Sequence, residues 1–157
     1  MNTADLSDQF PELVKAAEPM FKDFGGTKKF SGEIVTLKIF EDNSLVRKML
    51  EQNGSGKVLV VDGGGSLRCA LLGDKLGELA VKNLWQGLII YGCVRDSAVL
   101  KELHLGVKAL NTHPFKTVKR NEGQEQIKVT FAGVDFVPGH FVTIDEDGIL
   151  VSEQRLF

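Results

Sequence analysis

The sequence predicts an α/β domain in which layers stack as β/β/α. Three observations carry this. First, Lys57–Asp62 (KVLVVD) and Gly87–Tyr91 (GLIIY) are continuous apolar runs rich in β-branched residues, the pattern of strands buried on both faces. Second, a helical pattern stands before each run, so the middle of the chain alternates helix and strand. Third, beyond Gly106 strand patterns follow one another, leaving too few helices to cover a doubly wound sheet. At 157 residues the chain is long enough for one domain with a sizeable core. It has no linker, repeat or low-complexity segment, so residues 1–157 read as a single domain.

Taken in order, the first helix is expected over Pro11 to Lys22, with Leu13, Ala16, Ala17 and Met20 on one face and Pro19 as its weak point. Phe24-Gly25-Gly26 closes that region. Gly32–Phe40 alternates as a strand, with Ile34, Thr36 and Lys38 on one face and Val35, Leu37 and Ile39 on the other. Asp42 and Ser44 are cap candidates for a helix running to about Gln52, which Asn53-Gly54 stops. After Lys57–Asp62 comes Gly63-Gly64-Gly65-Ser66, then a short strand over Leu67–Leu71. Gly73-Asp74 opens a helix carrying Leu76, Leu79, Ala80 and Leu84. Gly87–Tyr91 follows, and Asp96 starts, and is placed to cap, a short helix through Leu103. Val107–Leu110, Phe115–Val118, Ile127–Phe131 and Phe141–Ile144 are the late strands. Asp147-Gly148 is a hairpin turn leading into Ile149–Val151.

Composition is that of an ordinary globular protein, 43% hydrophobic and 25% charged. A formal net charge of −2 argues against direct nucleic-acid binding, and Lys116, Lys119 and Arg120, answered by Glu122 and Glu125, read as a solvated loop. No apolar stretch approaches the ~18 residues of a membrane span, and the first ten residues lack an apolar signal core. Cys69 and Cys93 sit in apolar runs without a CxxC, as buried thiols of a reducing compartment do. A cytoplasmic location is therefore expected.

Chemistry concentrates in Gly73–Asp96. Its parse as turn, helix, strand and turn brings the helix start at Asp74 and the strand end at Arg95-Asp96 to one sheet edge. The N–H groups of Gly73, Asp74, Lys75 and Leu76 at a helix start form a carboxylate site. Arg95 offers a planar fork for a carboxylate, and Asp96 a hard oxygen ligand for Mg²⁺ or Mn²⁺. The glycine run after Asp62 is neither GxGxxG nor a P-loop; it reads equally as a tight turn or as a pocket wall. His104, His113 and His140 match no zinc spacing. A Schiff-base lysine is disfavoured, because Lys75 and Lys82 fall on the exposed face of their helix and Lys57 starts a strand.

The stretch VLVVDGGGSLRCALLGDKLGELAVKNLWQGLIIYGCVRD, Val58 to Asp96, resembles the regulator-of-ribonuclease-activity-A-like family, which includes the class II 4-hydroxy-4-methyl-2-oxoglutarate aldolases. The likeness extends more weakly from Phe24-Gly25-Gly26 to the DGILVSE of Asp147–Glu153. It implies a swivelling β/β/α fold and a homotrimer. Asp74, Arg95 and Asp96 match the D-x20-R-D pattern of the aldolase members. By that resemblance Gly73 to Leu76 contact substrate, Arg95 holds it, Asp96 lies toward the metal, and Asp74 positions the water that takes a hydroxyl proton. The implied reaction cleaves a 4-hydroxy-2-oxo dicarboxylate to pyruvate, with oxaloacetate decarboxylation as a second activity. The segment Glu41–Ser66 looks closer to the regulator members, which bind ribonuclease E. A non-catalytic inhibitor of that enzyme is the alternative the resemblance implies.

Overall fold

The buried runs become the centre of one large sheet. The computed structural model describes residues 1–157. In chain order the elements are α1 (Thr3–Gln9), β1 (Val14–Ala16), β2 (Lys22–Asp23), β3 (Phe30–Lys38), α2 (Ser44–Leu50), β4 (Lys57–Asp62), β5 (Ala70–Leu72), α3 (Asp74–Lys82), β6 (Gly87–Val94), α4 (Ser97–Leu100), β7 (Gly106–Thr112), β8 (Gln124–Glu125), β9 (Val129–Phe131), β10 (Val134–Phe136), β11 (Phe141–Asp145) and β12 (Gly148–Ser152). The sheet runs β1-β12-β11-β3-β4-β6-β7-β2, with β5 added to β6 and β8 to β3. β3, β4, β6 and β7 are mutually parallel, and β5 is parallel to β6. The hairpin β11–β12 joins antiparallel through Phe141↔Glu33.

Alternation along the central strands feeds two cores. Val35, Leu37, Leu59, Val61, Leu88 and Ile90 face one way and meet Val46, Leu50, Leu76 and Ala80 of α2 and α3. Ile34, Val58, Val60 and Ile89 face the other way and meet the β9–β10 hairpin. There Phe131 stacks between Tyr91 at 4.8 Å and Phe136 at 4.6 Å. Helices cover one face and a β layer the other, as the late strand patterns require. Lys57–Asp62 reads as an unbroken apolar run because both of its faces are covered.

Two expected elements are absent. No helix spans Pro11–Lys22. Leu13 and Ala16 of its supposed apolar stripe are exposed, and Val14–Ala16 instead pairs with the hairpin edge as Val14↔Ser152. Pro11 and Pro19 bracket a stretch too short to repay helix nucleation, and a ready strand edge competes for its backbone. The helix lies earlier, at Thr3–Gln9, where Asn2 Oδ1 accepts the Asp5 N–H at 2.7 Å. Phe115–Val118 forms no strand either: Phe115 and Val118 are exposed and only Thr117 is buried. The helix after Asp96 is shorter than expected, ending at Leu100. The β9–β10 hairpin turns at Ala132-Gly133, both at positive φ (53° and 73°).

Candidate active site

Parallel pairing of β5 with β6 sets Leu72 beside Val94, so the residues that follow, Gly73 and Arg95, emerge together. The Arg95 N–H donates to the Leu72 carbonyl at 2.9 Å. Asp96 then takes a left-handed conformation, φ 56° and ψ 40°. With that turn its carboxylate reaches the start of α3, where Oδ2 accepts the Asp74 N–H at 3.0 Å. Asp96 therefore caps α3 through its side chain; it makes no side-chain cap bond to α4, the helix it precedes. Asp74 Oδ1 accepts the Lys75 N–H at 2.8 Å. Two carboxylates thus occupy the open amides of this helix start, consistent with the expected anion-binding character. A Cβ at Gly73 would lie 2.7 Å from Asp96 Oδ2, so any larger residue there requires that carboxylate to shift.

The wall of the site is the segment between β7 and β8. The His113 N–H donates to the Val94 carbonyl at 2.9 Å, and Arg95 Nη1 donates to the Pro114 carbonyl at 3.3 Å. The Phe115 carbonyl accepts the Ala70 N–H at 2.8 Å. Thr117 Oγ1 donates to Asn43 Oδ1 at 2.8 Å, while Asn43 Nδ2 donates to the Leu71 carbonyl at 3.0 Å. Asp42 Oδ2 accepts the N–H groups of Arg120 at 2.8 Å and Glu122 at 3.2 Å. Burial alone would raise the Asp42 carboxyl. The Ser44 hydroxyl and N–H, with these two amides, outweigh burial and lower it to about 2.

The result is a cleft of about 200 Å³ that gathers Gly73, Asp74, Lys75, Leu76, Arg95 and Asp96, all six expected residues. It also gathers Asn43 and Arg47, which the sequence did not single out, and Lys116 and Lys119, expected only as part of a solvated loop. Lys116 and Lys119 are exposed on their loop, as expected, and also line the cleft. Five cations (Arg47, Lys75, Arg95, Lys116, Lys119) face two carboxylates (Asp74, Asp96). The three ion pairs of the chain are Lys48–Glu125, Arg68–Glu41 and Lys108–Asp23, so no cation of the cleft is neutralised by a salt bridge. In a chain of net charge −2, this concentrates positive potential where a small anion can enter.

The glycine run is a turn rather than a cleft wall. Gly64 and Gly65 have positive φ, the N–H groups of Gly63 and Gly65 both reach the Tyr91 carbonyl, and none of the three lines the cleft. Cys69 and Cys93 are buried, and burial pushes both thiols up, away from nucleophilic use. No three His, Cys, Asp or Glu side chains cluster to build an all-protein metal cage. Magnesium needs less: one or two carboxylates, with water and substrate oxygens completing the shell. Asp96 fits that role, since Oδ2 is oriented by the α3 amide while Oδ1 accepts no hydrogen bond from the chain.

Fold and cleft define an α/β domain with a cation-rich cleft at the C-terminal edge of its parallel strands, the usual place for a ligand in such sheets. The profile of the RraA-like family, Aldolase/RraA, matches residues 3–151, and the chain belongs to that family. A Pseudomonas aeruginosa protein provisionally named 4-hydroxy-4-methyl-2-oxoglutarate aldolase is 58% identical over 154 residues, covering 98% of this chain and 95% of its own. An Aromatoleum aromaticum protein of the same provisional name is also 58% identical, over 98% and 97% of the two chains. Among solved structures, the RNA-processing inhibitor RraA of Thermus thermophilis superposes with a TM-score of 0.97 at 44% identity, covering 100% of this chain and 95% of its own. A Geobacillus kaustophilus protein described as S-adenosylmethionine:2-dimethylmenaquinone methyltransferase gives 0.97 at 46%, over 99% and 97%. One backbone carries three descriptions, so function is argued from the site.

Proposed function

We propose that the protein is a class II aldolase that cleaves 4-hydroxy-4-methyl-2-oxoglutarate-type substrates to pyruvate, with oxaloacetate decarboxylation as a second activity. The observation that carries this is the convergence of Arg95, Asp96 and the α3 N-terminus in a cleft with a surplus of unpaired cations. The aldolase name of the relatives at 58% identity supports it.

In the proposed reaction the 4-hydroxyl loses its proton, the C3–C4 bond breaks, C4 becomes a carbonyl, and the electron pair enters C3 as the enolate of pyruvate. Protonation at C3 completes pyruvate. The substrate carboxylate takes the Lys75 amide in place of Asp74 Oδ1, beside Leu76. The displaced Asp74 carboxylate then positions the water that accepts the hydroxyl proton. Arg95, held by the Pro114 carbonyl, places fixed positive charge beside the developing enolate. A divalent cation, Mg²⁺ or Mn²⁺, bound at Asp96 would supply Lewis-acid stabilisation of charge on the 2-oxo oxygen. Oxaloacetate losing CO₂ leaves the same enolate, so the same groups serve both activities.

Coupled detection of pyruvate, with either substrate and Mg²⁺, tests the reading. Arg95→Ala and Asp96→Ala should each lower kcat by ~10²–10³, and chelation should abolish turnover. Full activity in both variants would refute the assignment. The reading includes a homotrimer. Phe40, Leu67, Phe115 and Val118 stand 57–69% exposed on loops at this edge, apolar surface that a neighbouring copy would cover. A light-scattering mass equal to a single 17.2 kDa chain would remove that part.

The second reading, a regulator that binds ribonuclease E, is favoured by the likeness to the Thermus inhibitor. A pull-down with ribonuclease E tests it independently of turnover.

A further inference from the structure

The cations of the cleft come from two places. Lys75 and Arg95 stand on α3 and at the end of β6, beside the carboxylates of Asp74 and Asp96. Arg47 comes from α2, and Lys116 and Lys119 from the segment that bridges β7 to β8. Three unpaired cations near one another repel, and a loop free to move would spread them into water. This loop is not free. Thr117, between the two lysines, is buried and donates to Asn43. Asp42, 2% exposed, accepts the Arg120 and Glu122 N–H groups just beyond Lys119, together with the Ser44 N–H and hydroxyl. A buried carboxylate with four donors therefore fixes like charges at a cleft rim, an arrangement that stabilises the chain little until an anion arrives.

We propose that Arg47, Lys116 and Lys119 form a second anion subsite, which takes the carboxylate at the end of a diacid remote from Arg95, and that Asp42 is the positioning residue that fixes the two lysines there. The inference rests on the proposed function only for which end of the ligand faces Arg95. The subsite selects 2-oxo diacids over 2-oxo monoacids of the same length.

A matched pair of unreactive ligands tests this by calorimetric titration with excess Mg²⁺. 2-Oxoglutarate carries the remote carboxylate, and 2-oxopentanoate has a methyl group in its place. The protein should bind the diacid about tenfold more tightly, the ratio that ~1.4 kcal/mol gives. Arg47→Ala, and Lys116→Ala with Lys119→Ala, should erase the preference and leave affinity for the monoacid unchanged. These three side chains are exposed, so folding is not at stake. Asp42→Asn should likewise weaken the diacid alone, and Asp42→Glu should restore part of the preference. Equal affinities for the pair, or variants that weaken both ligands alike, overturn the subsite. If Asp42→Asn weakens both alike, its positioning role is lost. If the pair is discriminated but no 4-hydroxy-2-oxo diacid yields pyruvate, the aldolase reading fails and the subsite stands. If pyruvate forms without discrimination, the reverse holds. Failure to bind either ligand removes the subsite.

Discussion

Gly73 illustrates how a single residue can hold the site in register. Its φ of −131° and ψ of −165° are open to any amino acid, so backbone freedom is not the reason for glycine. The reason is contact: an added Cβ would sit 2.7 Å from Asp96 Oδ2 and 3.4 Å from Arg95 Cγ. Gly73→Ala should push Asp96 off the Asp74 amide and shift Arg95 with it. Loss of that cap should cost about 1 kcal/mol, and the misplaced pair should lower kcat at least tenfold, by the sensitivity of catalysis to ångström errors. Thermal melting beside the pyruvate assay checks both. A variant with unchanged kcat would mean that the Asp96–Asp74 contact is incidental. Asp74, Arg95 and Asp96 were legible in the sequence because they lie within one helix-strand unit. Arg47, Lys116 and Lys119 were not, because the bonds that bring them in span 74 to 80 residues, as between Asp42 and Arg120. The only local signal was the i, i+4 placement of Asn43 and Arg47 across a helix start.

At the scale of elements, α2 brings Arg47 to the cleft, and its C-terminus is closed by groups from the α3–β6 connection. Asn83 Nδ2 donates to the Leu50 carbonyl at 2.8 Å, and Trp85 Nε1 donates to the Gln52 carbonyl at 3.1 Å. The Trp85 indole is buried against Gly54, where a Cβ would come within 2.1 Å of the ring. Trp85→Phe keeps most of the apolar volume and removes the donor from the half-buried bond to the Gln52 carbonyl. It should destabilise the fold by about 0.5–1.5 kcal/mol, read by urea unfolding. Far-UV circular dichroism is the probe, since Trp85 is the only tryptophan. Stability equal to the parent would mean that water replaces the indole at no cost. Here the sequence was a good guide where an element's own pattern decides it. β4, α3, β6 and the β11–β12 hairpin lie where their periodicity puts them, although the hairpin turns at Glu146-Asp147, one residue before the expected Asp147-Gly148. It failed where a partner decides. Val14–Ala16 is a strand because β12 offers an edge, and Phe115–Val118 is a wall because Asn43 and Ala70 hold it.

For the whole molecule, the layered class follows from strands buried on both faces and from the shortage of late helices. The order of the outer strands was not legible, since β1 meets β12 and β2 meets β7 only after the chain has closed on itself. Two buried carboxylates fasten such remote parts together. Asp145 accepts the Thr3 N–H and hydroxyl, both at 2.7 Å, and ties α1 to the β11–β12 hairpin. Asp42 ties the start of α2 to the cleft wall. Burial raises both carboxyls, but their hydrogen bonds outweigh it, so both end below the ordinary value of 3.8, Asp42 at about 2. A carboxyl whose folded value lies below its unfolded one binds fewer protons when folded. Its stabilisation is complete above about pH 4 and is lost as pH falls toward 2. Melting temperature followed from pH 7 to 2 should therefore decline steeply below pH 4. Asp42→Asn and Asp145→Asn should each lower it at pH 7 and flatten the acid limb, because each removes one of the groups that titrates there. The two effects should add, since the clamps hold different parts of the chain. An acid limb of unchanged steepness in the double variant would assign acid sensitivity to other carboxylates and leave both clamps as packing contacts alone.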